Sequence, residues 1–195
     1  MLGRMDEDDL RAVTIGELRP LAGTIELADY DPAWPAMFAR EAARIRAALG
    51  DRVLVLEHVG STAVPGLAAK PKIDILLVVE SSADEAAYVP ALAAAGYVLR
   101  IREPAWHEHR LLEGADTAIN LHVFSRGCPE IDRMIRFRDW LRANDADREL
   151  YARTKRELAR RTWKYTQDYA DAKTAVVEQI FARALAANQA GAATP

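Results

Sequence analysis

The sequence predicts an α+β fold, a mixed sheet flanked by helices with a C-terminal helical segment packed on it. Three observations predict it. The apolar runs at 53–59 and 72–79 are short, rich in branched residues and bounded by turn residues, as buried strands are. Segments 97–102, 107–113 and 117–124 add three more strands, with a helix over 83–95 stopped by Gly96. From Glu130 onward the apolar spacing is helical throughout. Strands mixed with helices and then a helical block describe one α+β globule. A chain of 195 residues, 50% hydrophobic and 28% charged, fits one globular domain of ordinary size.

The elements follow in order. Residues 1–22 are polar without clear period and read as a mobile arm. Ile25 and Leu27 suggest the start of an edge strand in a sheet domain over 23–125. Asp31-Pro32 reads as a cap followed by proline at the first helical position. The helix it opens spans 32–49, carries Phe38, Ala42, Ile45 and Leu49 on one stripe, and ends at Gly50. A loop at 60–71 joins the first two strands. Gly114-Ala115-Asp116 turns the fourth strand into the fifth. Helices are expected over 131–143, 147–164 and 168–187, so 126–187 is a helical segment of the same globule. Residues 188–195 are small and polar, a flexible tail.

Several classes are excluded. No apolar run approaches the roughly 20 residues of a membrane-spanning helix. The start is acidic and lacks the apolar stretch of a secretory signal, so a cytoplasmic location and no membrane partner are expected. The single cysteine, Cys128, excludes an intrachain disulfide and a cysteine-based zinc site. A net charge of −3 does not suggest general nucleic-acid binding. The charge is uneven. Residues 1–99 carry 9 basic against 15 acidic side chains, whereas 126–173 carry 13 against 9. The second part can supply cations to an anionic ligand held by the first, or its charges can be the solvated faces of helices.

The most informative stretch runs from Glu57 to Leu76. A strand ends in Gly60-Ser61, and Asp74 sits 13 residues after Ser61 inside the next strand. Glycine lets backbone amides and a hydroxyl approach phosphate oxygens. A carboxylate on the neighbouring strand can hold Mg²⁺ against those oxygens. Alternation places Lys72, Asp74 and Leu76 on one strand face, and Asn120 and His122 on one face of the later strand. If those strands are neighbours, Asp74, Asn120 and His122 converge. Asp74 with His122 is then the candidate metal pair, and the imidazole would favour a transition metal over Mg²⁺. His58, two residues before Gly60, points to the same cleft or bonds within the sheet.

The helices add three cations on apolar stripes. Arg138 lies among Ile131, Met134, Ile135 and Leu141. Lys155 lies between Tyr151 and Leu158. Lys173 lies between Tyr169 and Val176. A charge at such a place must reach solvent, pair with an acid or line a ligand cavity. Arg110 is a further candidate of this kind.

The block Gly60-Ser61-Thr62-Ala63-Val64-Pro65-Gly66-Leu67 closely resembles the GrpB family. The similarity continues in 120–124, in 135–142, in Tyr151 with Lys155 and in Tyr169 with Lys173, and so covers about 25–185. The resemblance implies a nucleotidyltransferase-like sheet domain. That superfamily's pattern is Gly-Ser followed by Asp-x-Asp or Asp-x-Glu, two clustered carboxylates holding two Mg²⁺ for phosphoryl displacement. Here Leu76 occupies the second position. Related segments are also similar to the domain appended to some bacterial dephospho-coenzyme A kinases, but this chain has no Gly-x-x-x-x-Gly-Lys-Ser/Thr loop, so kinase activity of its own is not expected.

Three readings stay open. In the first, an enzyme binds a nucleoside triphosphate or similar phosphorylated ligand and transfers a nucleotidyl group, with Ser61, Asp74 and His122 as catalytic residues and Mg²⁺ as cofactor. Ligand contacts would come from His58, Gly60, Ser61, Thr62, Lys70, Lys72, Arg110, Asn120, Arg138, Lys155, Tyr169 and Lys173. In the second, a catalytically degenerate module binds a nucleotide or coenzyme A-related ligand, or partners another enzyme. In the third, a structural protein uses these cations only in ion pairs. The sequence sets no oligomeric state.

Overall fold

A computed structural model describes residues 5–21, 23–114 and 116–192, the side chains of 188–192 excepted. Five strands form one sheet: β1 (Val55–Val59), β2 (Ile73–Val79), β3 (Tyr97–Glu103), β4 (His109–Gly114) and β5 (Ile119–Ser125). Their order across the sheet is β1-β2-β5-β4-β3. β2 and β5 run parallel, and the other three pairings are antiparallel, so the sheet is mixed. Around it lie α1 (Glu7–Val13), α2 (Trp34–Leu49), α3 (Val89–Ala94), α4 (Pro129–Ala143), α5 (Asp145–Ala159), α6 (Thr166–Ala172) and α7 (Thr174–Ala192).

The sheet has two covered faces. On one, Ile73, Ile75 and Leu77 of β2 and Ile119, Leu121 and Val123 of β5 pack with Ile45 and Leu49 of α2 and Leu92 of α3. On the other, Val59, Leu76, Val78 and Phe124 pack with Ile131, Met134 and Ile135 of α4. A further cluster joins Val64 and Leu67 of the β1–β2 loop to Leu141, Tyr151 and Ile180 of α4, α5 and α7. β2, paired along both edges and covered on both faces, is thus the most continuous apolar run, whereas β5 alternates because Asn120 and His122 face away from the α2 core.

Local differences from the sequence reading have identifiable causes. Within 1–22, the acidic segment forms α1, capped by Asp6, whose carboxylate accepts from the Asp9 amide at 2.9 Å. Leu10 packs there with Met5 and Tyr165. The Asp31 carboxylate accepts from the Ala33 amide at 2.8 Å, a turn placed ahead of the helix; the helical proline is Pro35 in the first turn of α2. Ile25 and Leu27 form no named strand; the segment makes an isolated bridge between Ala28 and Ala69. The expected 83–95 helix is a 3₁₀ turn at Glu85–Ala87 followed by α3, separated by Tyr88, whose hydroxyl donates to the Ser82 carbonyl at 2.7 Å. The expected helix at 168–187 divides into α6 and α7 with Lys173 at the junction. Ala115, in the expected hairpin turn, and residues 193–195 of the expected tail lie outside the described residues. Among the described residues no helix is long and apolar enough to cross a membrane.

Candidate functional site

The parallel β2–β5 pair places Asp74 opposite Asn120 and Leu76 opposite His122. Asp74, Asn120 and His122 share the face toward the C-terminal helices and border a cavity of about 540 Å³. Ser61, Thr62, Lys70, Lys72, Lys155, Tyr169 and Lys173 border it too. The floor is therefore sheet, one wall is the loop after β1, and the opposite wall is α5 with the α6–α7 junction.

Asp74 is held on three sides. The Asn120 amide donates to its Oδ1 at 2.9 Å, and His122 Nε2 lies 3.7 Å from the same oxygen. Gly60 closes over the other oxygen: a Cβ built there would stand 2.3 Å from Asp74 Oδ2. Gly60 also has φ +70° and ψ −170°, a region open essentially only to glycine. Burial opposes ionisation of Asp74, but His122, Asn120 and Lys70 outweigh it and hold its pKa below the ordinary carboxylate value.

Behind His122 lies a chain that the sequence did not announce. His122 Nδ1 is 3.1 Å from His109 Nε2, and His109 Nδ1 is 2.6 Å from Glu103 Oε2. Burial drives His109 down to about 4 despite Glu103, so it is neutral at physiological pH. The Nδ1 proton of His109 then faces Glu103, and its Nε2 lone pair accepts the Nδ1 proton of His122. This fixes His122 with Nε2 toward Asp74.

Three lysines surround the cavity without counter-ions. Among the described residues Lys70, Lys155 and Lys173 make no ion pair closer than 4 Å with a carboxylate. Lys173 Nζ lies 4.6 Å and Lys70 Nζ 5.7 Å from the centroid of the Tyr169 ring. The Tyr169 hydroxyl is buried and has no hydrogen-bond partner. Lys155 is 2% exposed, and its Nζ donates to Ser61 Oγ at 2.9 Å and to the Ala68 carbonyl at 2.5 Å. Burial and the Lys173 charge lower Lys70 to about 8. Burial, then Lys173 and Arg156, lower Lys155 to about 6, and burial lowers Lys173 as well.

Other expected contacts are placed elsewhere. His58 lies opposite Ile75, on the far face, where it stacks on Phe38 and its Nε2 is 3.0 Å from Thr62 Oγ1. Arg110 lies opposite Val123, also on the far face, and is bound by Glu85 at 2.5 Å. Arg138 is buried but paired: its NH1 donates to Glu57 at 2.7 Å and to the His58 carbonyl at 2.9 Å, and Nε donates to Asp139 at 2.8 Å. These three are corrected from ligand contacts to structural groups. Lys72 stays at the rim, in an ion pair of 2.8 Å with Glu113.

The residues present do not fit a two-ion centre. Leu76, at the second carboxylate position, is fully buried among Val59, Val78 and Phe124. Among the described residues no group of three or more His, Cys, Asp and Glu side chains is arranged to hold a metal. Asp74 and His122 supply only two donors, with ammonium groups beside them.

A family model described as GrpB protein matches residues 24–183. The chain belongs to the GrpB family. It is 61% identical over 178 residues to a UPF0157 protein of Halalkalibacterium halodurans, covering 91% of each chain. Its fold matches the crystal structure of GrpB from Enterococcus faecalis with TM-score 0.71 and 30% identity, over 84% of this chain and 99% of that one. It is also 35% identical to a dephospho-CoA kinase of Mycolicibacterium paratuberculosis, over 70% of this chain but only 40% of the kinase. The matched span includes the Gly60–Leu67 block, of which Gly60, Ser61 and Thr62 border the cavity.

Proposed function

We propose that the GrpB cavity binds a nucleoside triphosphate or a related phosphorylated small molecule, its phosphates lying against Lys70 and Lys173 beside Ser61. The observation that carries this reading is the set of buried or half-buried ammonium groups without carboxylate partners. Unpaired charge in such a place is costly, and a polyanion removes the cost. The Tyr169 hydroxyl offers a further donor at the same wall. Asp74 would face the ligand as the single carboxylate, and a Mg²⁺ ion carried in by the phosphates would find that one protein carboxylate. The nucleotidyltransferase lineage suggested by Gly60-Ser61 and Asp74 accords with a nucleotide ligand. The similarity to part of a dephospho-CoA kinase accords with a coenzyme-like one.

Leu76 favours binding without two-ion nucleotidyl transfer, the second reading of the sequence. Titration calorimetry with ATP, pyrophosphate and adenosine, with and without Mg²⁺, tests the proposal. ATP and pyrophosphate are expected to bind and adenosine to fail. The double substitution Lys70→Met with Lys173→Met is expected to weaken binding on the order of 100-fold, as loss of two charge-assisted contacts does. Equal affinity in the double variant, or no binding of either phosphate compound, rejects the reading. Release of pyrophosphate from ATP, abolished by Asp74→Ala, would restore the transferase reading.

A further inference from the structure

Ser61 and Lys155 have an arrangement that phosphate binding does not require. The Ser61 hydroxyl is at the cavity surface, and Lys155 Nζ sits behind it at 2.9 Å, 2% exposed. Nζ also donates to the Ala68 carbonyl oxygen, which can take an N–H but cannot donate, and lies 4.8 Å from the centroid of the Tyr151 ring. In the neutral form an amine that keeps one N–H on Ala68 can turn its lone pair to Ser61, reversing the observed Nζ–Ser61 hydrogen bond so that the hydroxyl donates. Among the described residues Lys155 has no carboxylate partner, and Lys173 adds like charge. Burial, with Lys173 and Arg156, favours the neutral amine and outweighs the opposing pull of the Asp74 charge. A nucleophile in front and a base behind, oriented by a third group, is the pattern of an activated hydroxyl.

We propose that Ser61 is a nucleophile with Lys155 as its general base, acting on a phosphorylated ester or thioester. The substrate class rests on the phosphate reading above; the dyad does not. Acyl transfer is favoured over phosphoryl transfer because Leu76 fills the place of the second metal-holding carboxylate, whereas acyl transfer needs only a hydroxyl, a base and cations for the oxyanion. Ser61 gives its proton to Lys155 Nζ as Oγ bonds to the carbonyl carbon. The carbon–oxygen or carbon–sulfur bond then breaks, and the leaving alcohol or thiol takes the proton from Lys155. Water gives a proton to Lys155 as its oxygen bonds to the acyl carbon; the acyl–Oγ bond then breaks, Lys155 returns the proton to Ser61 Oγ, and a carboxylic acid is released. Lys70 and Lys173 hold the phosphate of the substrate.

The test is labelling of the full chain with a fluorophosphonate, read by intact mass and peptide mapping. A single adduct on Ser61 is expected, with a rate that rises with pH to a plateau above about 6, as burial of Lys155 sets. Ser61→Ala should remove the adduct. Lys155→Met should slow labelling by about 100-fold or more, the usual worth of a general base. Pyrophosphate should protect. No adduct on Ser61 at any pH from 5 to 9, or labelling unchanged in Lys155→Met, overturns the dyad even where calorimetry shows phosphate binding. Labelling that pyrophosphate does not slow leaves the dyad and overturns the substrate class.

Discussion

The two faces of the sheet treat polar groups differently. On the face toward α2 and α3, the buried charged and imidazole groups are held by protein partners: His58 has Thr62 and Phe38, Arg110 has Glu85 and Glu108, and Glu41 accepts from the Tyr97 hydroxyl through Oε2, although its Oε1 has no hydrogen-bond partner among the described residues. On the face toward the C-terminal helices, hydrocarbon packs only as far as Leu76, and beyond it lie Asp74, three lysines that among the described residues form no ion pair within 4 Å, and a tyrosine hydroxyl with no hydrogen-bond partner among those residues. The first pattern is how a protein satisfies its own interior. The second leaves interaction capacity unused. The contrast teaches that a buried cation indicates a ligand only when its counter-ion is missing. Arg138, buried yet bound to Glu57 and Asp139, falls on the structural side of that line.

Substitutions can break or sharpen the contrast. The largest effect is expected for Gly60→Ala, which forces an unfavourable backbone worth about 1–3 kcal/mol and drives a methyl into Asp74. Chemical denaturation should show the loss, and pyrophosphate affinity should fall with it. Arg138→Met should also destabilise, by about 1–3 kcal/mol, because the His58 carbonyl loses its charged donor. Pyrophosphate titration of that variant should match the parent; a weakened titration would move Arg138 back into the site.

A third effect appears in pH dependence. The Lys155 pKa is about 6 folded and 10.5 in the unfolded reference. Between those values the unfolded chain binds more protons, so this group makes stability rise with pH across that window. Below about 6 its destabilisation is fully present. Melting temperatures of Lys155→Met should therefore rise less from pH 6 to 10 than those of the parent. Parallel curves would show that Lys155 keeps its proton across the range in the folded chain, which would also count against its role as a base. The smallest effect belongs to Lys72→Met. Its pair with Glu113 is about a third exposed on both sides, so about 0–1 kcal/mol is expected, with little change in ligand affinity.

Much of this was legible beforehand. All five strands lie where apolar runs, alternation and turns place them; burial on both faces removes polar residues most completely in β2, whereas edge strand β3 keeps Arg100, Arg102 and Glu103 and is bounded by its turns. Asp74, Asn120 and His122 meet as alternation predicts once β2 and β5 are neighbours. His58 and Arg110 were misplaced because alternation gives parity within a strand, while the face depends on register. In β1 it is Val59, not His58, that lies opposite Asp74. The Glu103–His109 pair had no signal: the two are joined across a hairpin between β3 and β4, and only that register brings them together. The break at Lys173 was hidden because α6 and α7 carry one continuous apolar period across it.

The lowered pKa of Lys70 has a further consequence. If the pocket binds phosphate as proposed, the arriving anion would offset the repulsion between Lys70 and Lys173 and draw a proton onto Lys70, whose unliganded value is about 8. Association near pH 8 then consumes hydrogen ions from the medium. The heat of complex formation will vary with the ionisation enthalpy of the buffer, and affinity will decline as the solution turns alkaline. On the proposed reading, the lysine pocket would couple occupancy to the acidity of its surroundings.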